Sequence, residues 1–587
     1  MQNLAFSKLF PRFFTGWCLA ALVETLLNPY GFDTVAFIGA VSVWRFLLIL
    51  TAVTCLLTVA AHYRENAVWE TRILVGVTFS YLFVLALREH RFWFSLALAL
   101  VMLFVAIYAL PQDRLGLRGW SPSCRQIFGM MAAAAGVFTV FTATVTVCRY
   151  YGHYNSTFDF GIFAQMFHYM KTTGLPLTTC ERGTLLSHFA VHASPILYLL
   201  LPGYCLFSSP VYLQIMQALV LASGIIPLYL LAKERGLSQK TRLAVCLLFC
   251  TFPALAGGCF YDFHENCFLT PLLLWLFYFY EKKRSLPLLV FAVLTLLVKE
   301  DAAIYVAAFS LYLLCGRRDY KRGGGLLALS TVYFLVVTAL LSRFGEGTMT
   351  VSRFEKYMPS GSGSMLTVAK TVFLNPAYLF EQVFTVEKLP FLLLMMLPLL
   401  FLPLYSKKLS QLILLIPMLV VNVMPNWQYQ YSTHFQYVFG SIALLFYLTV
   451  LNVREIRPKQ RHFLLPLAVA LSVLLATADL SGYVRTVTGC FSARETNRVI
   501  DTALETIPAD ASVKCNGYYL PALADRDILY DFRTDADAEY IVLDLRPNKE
   551  DNAEAQALYR ADAARYTCLV YEQDIIAIYR DTAYTAP

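Results

Sequence analysis

Apolar runs of 13 to 26 residues, separated by short polar stretches, follow one another from residue 13 to residue 479. A membrane-spanning helix needs roughly 20 mostly apolar residues, and fewer where its ends snorkel or the bilayer thins. On that criterion the pattern predicts about fifteen spans: 13–28, 36–61, 73–87, 92–110, 126–148, 210–232, 243–258, 266–280, 286–298, 302–315, 326–342, 389–405, 409–424, 434–451 and 463–479. The short runs 286–298 and 302–315 count as spans because charges bracket them. Glu24 and Arg45 interrupt the first two runs, which are the least sharply defined. No small-residue cleavage site follows the first run, so a cleavable signal peptide is not expected.

The polar interruptions divide the chain. Residues 1–110 form an N-terminal group of about four spans, and a basic linker leads into a core of about eleven, 126–479, with long loops at 149–209 and 343–388. Within the first loop, 195–207 is apolar but short and contains Pro202 and Gly203, so it reads as an interfacial or re-entrant helix. The second loop holds Ser360-Gly361-Ser362-Gly363-Ser364 and an amphipathic stretch near 366–384; a mobile lid and a plain connector are both open readings. Past Leu480 the pattern changes. Helical periodicity at 495–508 and 551–564 alternates with strand-like runs at 512–515, 528–530, 540–543 and within 568–579. The expected fold class is an all-α polytopic membrane protein with a small C-terminal α/β domain, 480–587. No internal repeat and no glycine-rich phosphate loop is evident.

Composition excludes a soluble enzyme. The 587 residues are 58% hydrophobic and only 15% charged, too few charges to cover a water-facing surface of that size. With the N-terminus cytoplasmic, loops on the inner side carry 24 Lys and Arg and outer loops between spans carry 11, as the positive-inside rule requires. An odd number of spans then places the C-terminal domain outside a plasma (inner) membrane. The net charge of +8 divides into +15 on 1–479 and −7 on 480–587. Insertion and anionic lipid account for the basic part, and nothing points to nucleic acid. Most of the fourteen cysteines lie in apolar runs, no C-x-x-C metal pattern occurs, and Cys490, Cys515 and Cys568 fall where a disulfide is permitted without a pairing being implied.

Four polar clusters end apolar runs on the same, outer face: Phe158-Asp159-Phe160-Gly161, Ser187-His188-Phe189-Ala190-Val191-His192, Tyr261-Asp262-Phe263-His264-Glu265 and Lys299-Glu300-Asp301. Ionisable groups are costly at a bilayer, so a convergent set is a candidate functional site. Asp159 reads either as a helix cap, with Ser156 and Thr157 as rivals, or as a carboxylate partly desolvated by Phe158 and Phe160, with a raised pKa suited to base chemistry. His188 and His192, four apart, could share a helical face and hold a divalent metal, or contact substrate phosphate. Asp262, His264 and Glu265 are more ionisable groups than a tight turn needs, and Lys299, Glu300 and Asp301 could form an internal ion pair. His434 opens a later span behind an aromatic belt around Trp427.

Taken in order, Asp159-Phe160-Gly161-Ile162-Phe163, His188-Phe189, His192-Ala193-Ser194-Pro195-Ile196-Leu197, Tyr261-Asp262-Phe263-His264-Glu265 and Val298-Lys299-Glu300-Asp301 resemble a domain-of-unknown-function family of predicted polytopic membrane proteins grouped with the GT-C glycosyltransferase superfamily. The resemblance covers about 145–450 and extends weakly through Ile507 to Val513 and Tyr540 to Asp544. It implies a GT-C-like helical core, distantly similar to protein mannosyltransferase-like and aminoarabinose transferase-like enzymes. Those take sugars from polyprenyl-phosphate carriers, with an acidic residue in the first large outer loop as base or acceptor-positioning group. Asp159 is the matching position. Such relatives commonly carry adjacent acidic residues there, whereas Phe160 follows Asp159 here.

The expected function is therefore sugar transfer from a polyprenyl-phosphate donor to a glycan, lipid or protein acceptor of the cell envelope. Asp159 would be catalytic, and His188, His192, Asp262, His264, Glu265, Lys299, Glu300, Asp301 and His434 would bind substrate. No cofactor is assigned, although a divalent metal could take part. Two other readings stay open: a transporter of a carbohydrate or lipid-linked substrate, and a non-catalytic envelope-assembly protein.

Overall fold

Four apolar helices, Phe6–Leu27, Val43–Tyr63, Val68–Arg88 and Phe92–Ala109, begin the chain in a computed structural model that describes residues 6–63, 68–154, 158–345, 352–359, 364–547 and 550–585. Ser156 and Thr157, the rival caps, and Ser360–Gly363 of the glycine–serine run lie outside the described residues. The first helix packs on the second and third, and the last two pack on Pro458–Leu480. That seam is apolar, with Leu82, Leu98 and Met102 against Leu467, Leu471 and Leu474. The two charges inside the first apolar runs pair: Arg45 donates to both Glu24 oxygens at 2.6 and 2.7 Å. Neither charge is left alone in hydrocarbon.

The core begins with Cys124–Tyr151, whose first turn is closed by a reciprocal capping box between Ser123 and Gln126. Pro210–Ser223 continues into Ile225–Glu234, and Gln239–Cys250 meets the next short helix at a 41° bend where Pro253 removes a donor. Phe439–Glu455 stands at the centre, buried on every side through Val453. Among the described residues nine helices are long and apolar enough to cross a membrane, or ten if the bent pair is one span. The remaining expected spans are shorter pieces. Ser285–Leu296 and Ala302–Tyr312 are separated by Lys299-Glu300-Asp301. Leu389–Met396 and the 3-10 segment Leu409–Leu415 stop near Pro398, Pro403 and Pro417, where missing N–H groups end the helical ladder. In a bilayer, half-length segments require that their freed backbone groups be covered by neighbouring helices rather than lipid.

The two ends of the bundle differ. At one end the basic loops converge on Glu281, which accepts from Arg235 at 3.1 Å, Arg317 at 3.3 Å and Tyr447 at 2.8 Å. The segment after Tyr151 builds the other end. It contains the helix Asp159–Thr173, a short ladder of β1 (Leu177–Thr178) against β2 (Leu186–Ser187), the 3-10 turn Pro195–Leu199 and the helix Leu201–Leu206, whose Leu206 and the following Phe207 are exposed.

The C-terminal domain is a five-stranded mixed sheet: β3 (Val513–Cys515), β4 (Leu529–Asp531), β5 (Tyr540–Asp544), β6 (Tyr566–Glu572) and β7 (Ile576–Asp581), in the order β4-β3-β5-β7-β6. β3 runs parallel to β4 and β5, and β7 antiparallel to β5 and β6. Composition changes at Leu480, yet the helix Val484–Ser492 still packs on Cys124–Tyr151, and the domain's own first helix is Arg494–Leu504. Its core takes in Ile162, Ala164 and Cys180 from the long loop.

Gln165, fully buried, joins the two parts: its Oε1 accepts from Thr178, Thr179 and Cys180, and its Nε2 donates to Thr179 and to the carbonyls of Arg526 and Asp527. Gly161 permits this approach, since a Cβ there would stand 2.5 Å from Leu520 Cβ. Gly161→Val should therefore lower the thermal midpoint by the equivalent of about 1–3 kcal/mol and expose the C-terminal domain to protease. Leu520→Gly in the same chain removes the Cβ that the new side chain meets, so the double variant should lose less than the sum of the two single variants; strict additivity would mean that the helix and the domain do not meet there.

Candidate functional site

Asp159 is the first residue of its helix and follows Phe158 as N-cap, with no side-chain cap bond from Phe158. An acidic group in a first helical turn is favoured by the helix dipole. Its carboxylate turns across to the segment 261–265: Tyr261 donates to Oδ2 at 2.8 Å and His264 Nε2 lies 3.6 Å from the same oxygen. Burial pushes the Asp159 carboxyl up, but His264, with Tyr261 and Lys299 behind it, outweighs burial and holds the group below its ordinary value. This reverses the raised pKa expected from Phe158 and Phe160. Phe160 is buried away from the carboxylate, against Tyr150.

These side chains line one cavity of about 460 Å³, together with His188, His192, Glu265 and Lys299. Lys299 Nζ lies 2.9 Å from Glu265 Oε1, and both are buried. Burial pushes the Glu265 carboxyl up, yet Lys299 and the three histidines nearby win and hold it at about 2; Lys299 is raised in turn by Glu265 against its own burial. His188 Nδ1 is 2.9 Å from Glu181, which raises the imidazole against burial, and its buried Nε2 has no hydrogen-bond partner. His192 Nδ1 is 2.9 Å from Glu300. Phe163 stands edge-on between the rings of His188 and His264 at 5.3 and 5.1 Å.

Four expected residues lie outside the cavity. Asp262 has φ +82°, which turns its carboxylate toward Gln214 at 3.0 Å and Arg149 at 3.6 Å, while Tyr261 and His264 face the cavity. Glu300 holds His192 and the Ala193 N–H. Asp301 is half-buried at the N-cap of Ala302–Tyr312, with its Oδ1 shielded from solvent; desolvation and the Glu300 and Glu265 charges raise it to about 6 in spite of Lys299. His434 pairs with Asp479 at 3.2 Å and Tyr483 at 3.0 Å, because its extended neighbour Phe435 takes the cavity side.

Other cavity groups were not singled out by sequence reasoning. Glu181 and Arg182 come from the turn between β1 and β2, Arg533 from just beyond β4, and Arg353 from the second long loop. Arg533 is bound to Asp531 at 2.6 Å and covers Phe158 at 4.0 Å. Arg353 stacks on Trp427 at 3.6 Å and has no carboxylate within ion-pair distance among the described residues. Tyr261, Phe435 and Tyr429 form a ring-on-ring wall, with centroids 4.3 and 4.5 Å apart. Among the described residues no group of three His, Cys, Asp or Glu is arranged to hold a metal ion, and both candidate histidines already engage carboxylates.

The fold and site define a polytopic membrane protein with an ionisable cavity at one end of its helical bundle, closed in part by an α/β domain. The chain belongs to the DUF2079 family of predicted membrane proteins, whose model matches residues 149–576. No curated protein matches it. Among solved structures it is similar to ArnT from Cupriavidus metallidurans bound to undecaprenyl phosphate, with 13% identity and a TM-score of 0.46 over 79% of this chain and 100% of that one. The apo form of the same enzyme gives 14% identity and a TM-score of 0.39, over 77% and 99%. Likeness at that level leaves the site to be read from this chain's own geometry.

Two outcomes follow from the charges. Lys299→Met leaves Glu265 as an uncompensated buried charge and should cost about 3–5 kcal/mol, whereas Lys299→Met with Glu265→Gln should cost much less. Unfolding in mixed micelles measures both, and equal losses would dissolve the pair. Asp301 has a folded pKa above the unfolded value of about 3.9, so its contribution is complete below pH 4 and lost as pH rises through about 6. Asp301→Asn should gain on the natural chain by roughly 2–3 kcal/mol between pH 4 and 7; a pH-independent difference would contradict this.

Proposed function

We propose that this protein is a GT-C-type membrane glycosyltransferase that moves a sugar from a polyprenyl-phosphate donor to a hydroxyl of a cell-envelope acceptor. The observation that carries the reading is the convergence of Asp159, Tyr261, His264, the Lys299–Glu265 pair and Arg353 on one cavity with an aromatic wall. The ordered motifs quoted above support it. The end carrying the cavity faces away from the cytoplasm on this reading, because the opposite end gathers the basic loops.

The donor phosphate lies against Arg353, a cavity cation with no carboxylate within ion-pair distance among the described residues, with Lys299 behind it; charge-assisted hydrogen bonds of this kind are the strong ones. The sugar's C–H face rests on Tyr261, Phe435 and Tyr429. An acceptor hydroxyl reaches Asp159, and its oxygen bonds to the anomeric carbon as the carbon–oxygen bond to phosphate breaks, with inversion. The hydroxyl proton passes to Asp159 and the phosphate leaves with the electron pair. Because Asp159 is held below the usual carboxylate range, it is ionised at neutral pH and a weak base. It takes the proton late, once oxocarbenium character at the sugar has made the hydroxyl acidic. Tyr261 and His264 fix its orientation.

Purified protein in lipid, given radiolabelled polyprenyl-phosphate sugars, should transfer label to extracted envelope acceptors. Asp159→Asn should reduce turnover by at least about a hundredfold, in the range expected for losing a general base, with donor binding retained. Arg353→Gln should instead raise the donor KM by roughly tenfold or more, as for a lost charged hydrogen bond. Activity should fall only below the ordinary carboxylate range as pH drops, because Asp159 must be ionised and its pKa is lowered. Uptake into sealed vesicles without a covalent product would replace this reading with a transporter. Full cellular function of Asp159→Asn would replace it with a scaffold.

A further inference from the structure

An apolar cavity lies at the opposite end of the bundle, where the N-terminal helices meet the core. It holds about 650 Å³ and is walled by Phe79 from Val68–Arg88, Leu247 from Gln239–Cys250 and Val469 from Pro458–Leu480. A water occupies about 30 Å³ of liquid, so this space suits a hydrocarbon chain rather than a few waters. Three groups at its rim are basic or titratable, Lys240, Arg461 and His462, and among the described residues no Asp or Glu lines it. Lys240 donates to the carbonyls of Leu117 and Arg118 at 3.0 and 2.9 Å, so its charge meets dipoles and, among the described residues, no carboxylate within ion-pair distance. Arg461 Nε is buried with no hydrogen-bond partner. A guanidinium nitrogen removed from water and left unpaired is costly unless an anion reaches it.

We propose that this cavity is a binding site for one anionic phospholipid, with an acyl chain between the N-terminal helices and the core and the headgroup phosphate on Arg461 and His462. Trp120, partly exposed at the rim, sits at the interfacial depth that indoles favour. The lipid completes a seam that protein side chains leave open, and so ties the N-terminal helices to Pro458–Leu480 beyond their own apolar contact. The site is separate from the cavity around Asp159 and does not depend on what that cavity does.

The test uses the full chain, delipidated in detergent and titrated with phosphatidylglycerol or phosphatidylcholine of the same acyl composition while the thermal midpoint is read. Phosphatidylglycerol should bind at least about fivefold more tightly, the preference expected for each basic group at a headgroup. Arg461→Gln with His462→Gln should bring the ratio close to one, and Ala470→Phe, which fills the cavity, should weaken both lipids. Native mass spectrometry should show one retained lipid of phosphatidylglycerol mass. Equal affinity for the two lipids in the natural chain would overturn the proposal. So would a preference that survives Arg461→Gln with His462→Gln, or the same thermal shift from glycerol phosphate alone.

Discussion

The helix Asp159–Thr173 is gripped on two sides, and the cavity exists because both grips hold. Phe160, Phe163 and Phe167 pack into the helical bundle, while Ile162 and Ala164 enter the core of the α/β domain. Gln165 lies between them with its amide saturated by loop and domain. A buried amide with every position used tolerates little sliding, since each lost partner leaves a desolvated group behind. Asp159, at the first turn of this helix, is thereby set against Tyr261 and His264 from a segment about a hundred residues away.

Charge balance imposes the second constraint. The cavity holds carboxylates, imidazoles and cations close to a bilayer, where an unpaired ion is expensive. Most therefore come as pairs: Lys299 with Glu265, His188 with Glu181, His192 with Glu300, Arg533 with Asp531. Lys299 keeps Glu265 ionised against its burial and His264 tips Asp159 below its usual range, while Asp301, desolvated and crowded by other carboxylates, moves the other way. Arg353, stacked on Trp427 and donating to the Tyr437 hydroxyl, has no carboxylate within ion-pair distance among the described residues and so keeps capacity for an anion.

Legibility of the site from the sequence followed chain locality. Asp159, His188, His264, Glu265 and Lys299 announced themselves as polar residues at the ends of apolar runs, and the structure brings them to one cavity. Asp262 and His434 carried the same local signal yet point elsewhere, because one left-handed residue and one extended alternation decide which neighbour faces inward. Arg353 and Arg533 gave no signal. Each is an ordinary charge in a polar stretch, and only tertiary packing carries it to the cavity. The short segments near 302–315 and 409–424 read as spans because hydropathy counts apolar residues, while the prolines and charges that break them act on backbone hydrogen bonds.

Apolar periodicity by itself determined that this chain lives in a membrane, that its loops sort by charge into two ends, and that a small α/β domain follows, because these depend on local composition and transfer energy. Which ionisable groups meet, which carboxylate is pushed up and which down, and how the α/β domain holds Asp159 in place were decided only by tertiary structure. Those properties depend on distances between segments hundreds of residues apart. Electrostatic energy varies with such distances and with burial, and neither is written along the chain.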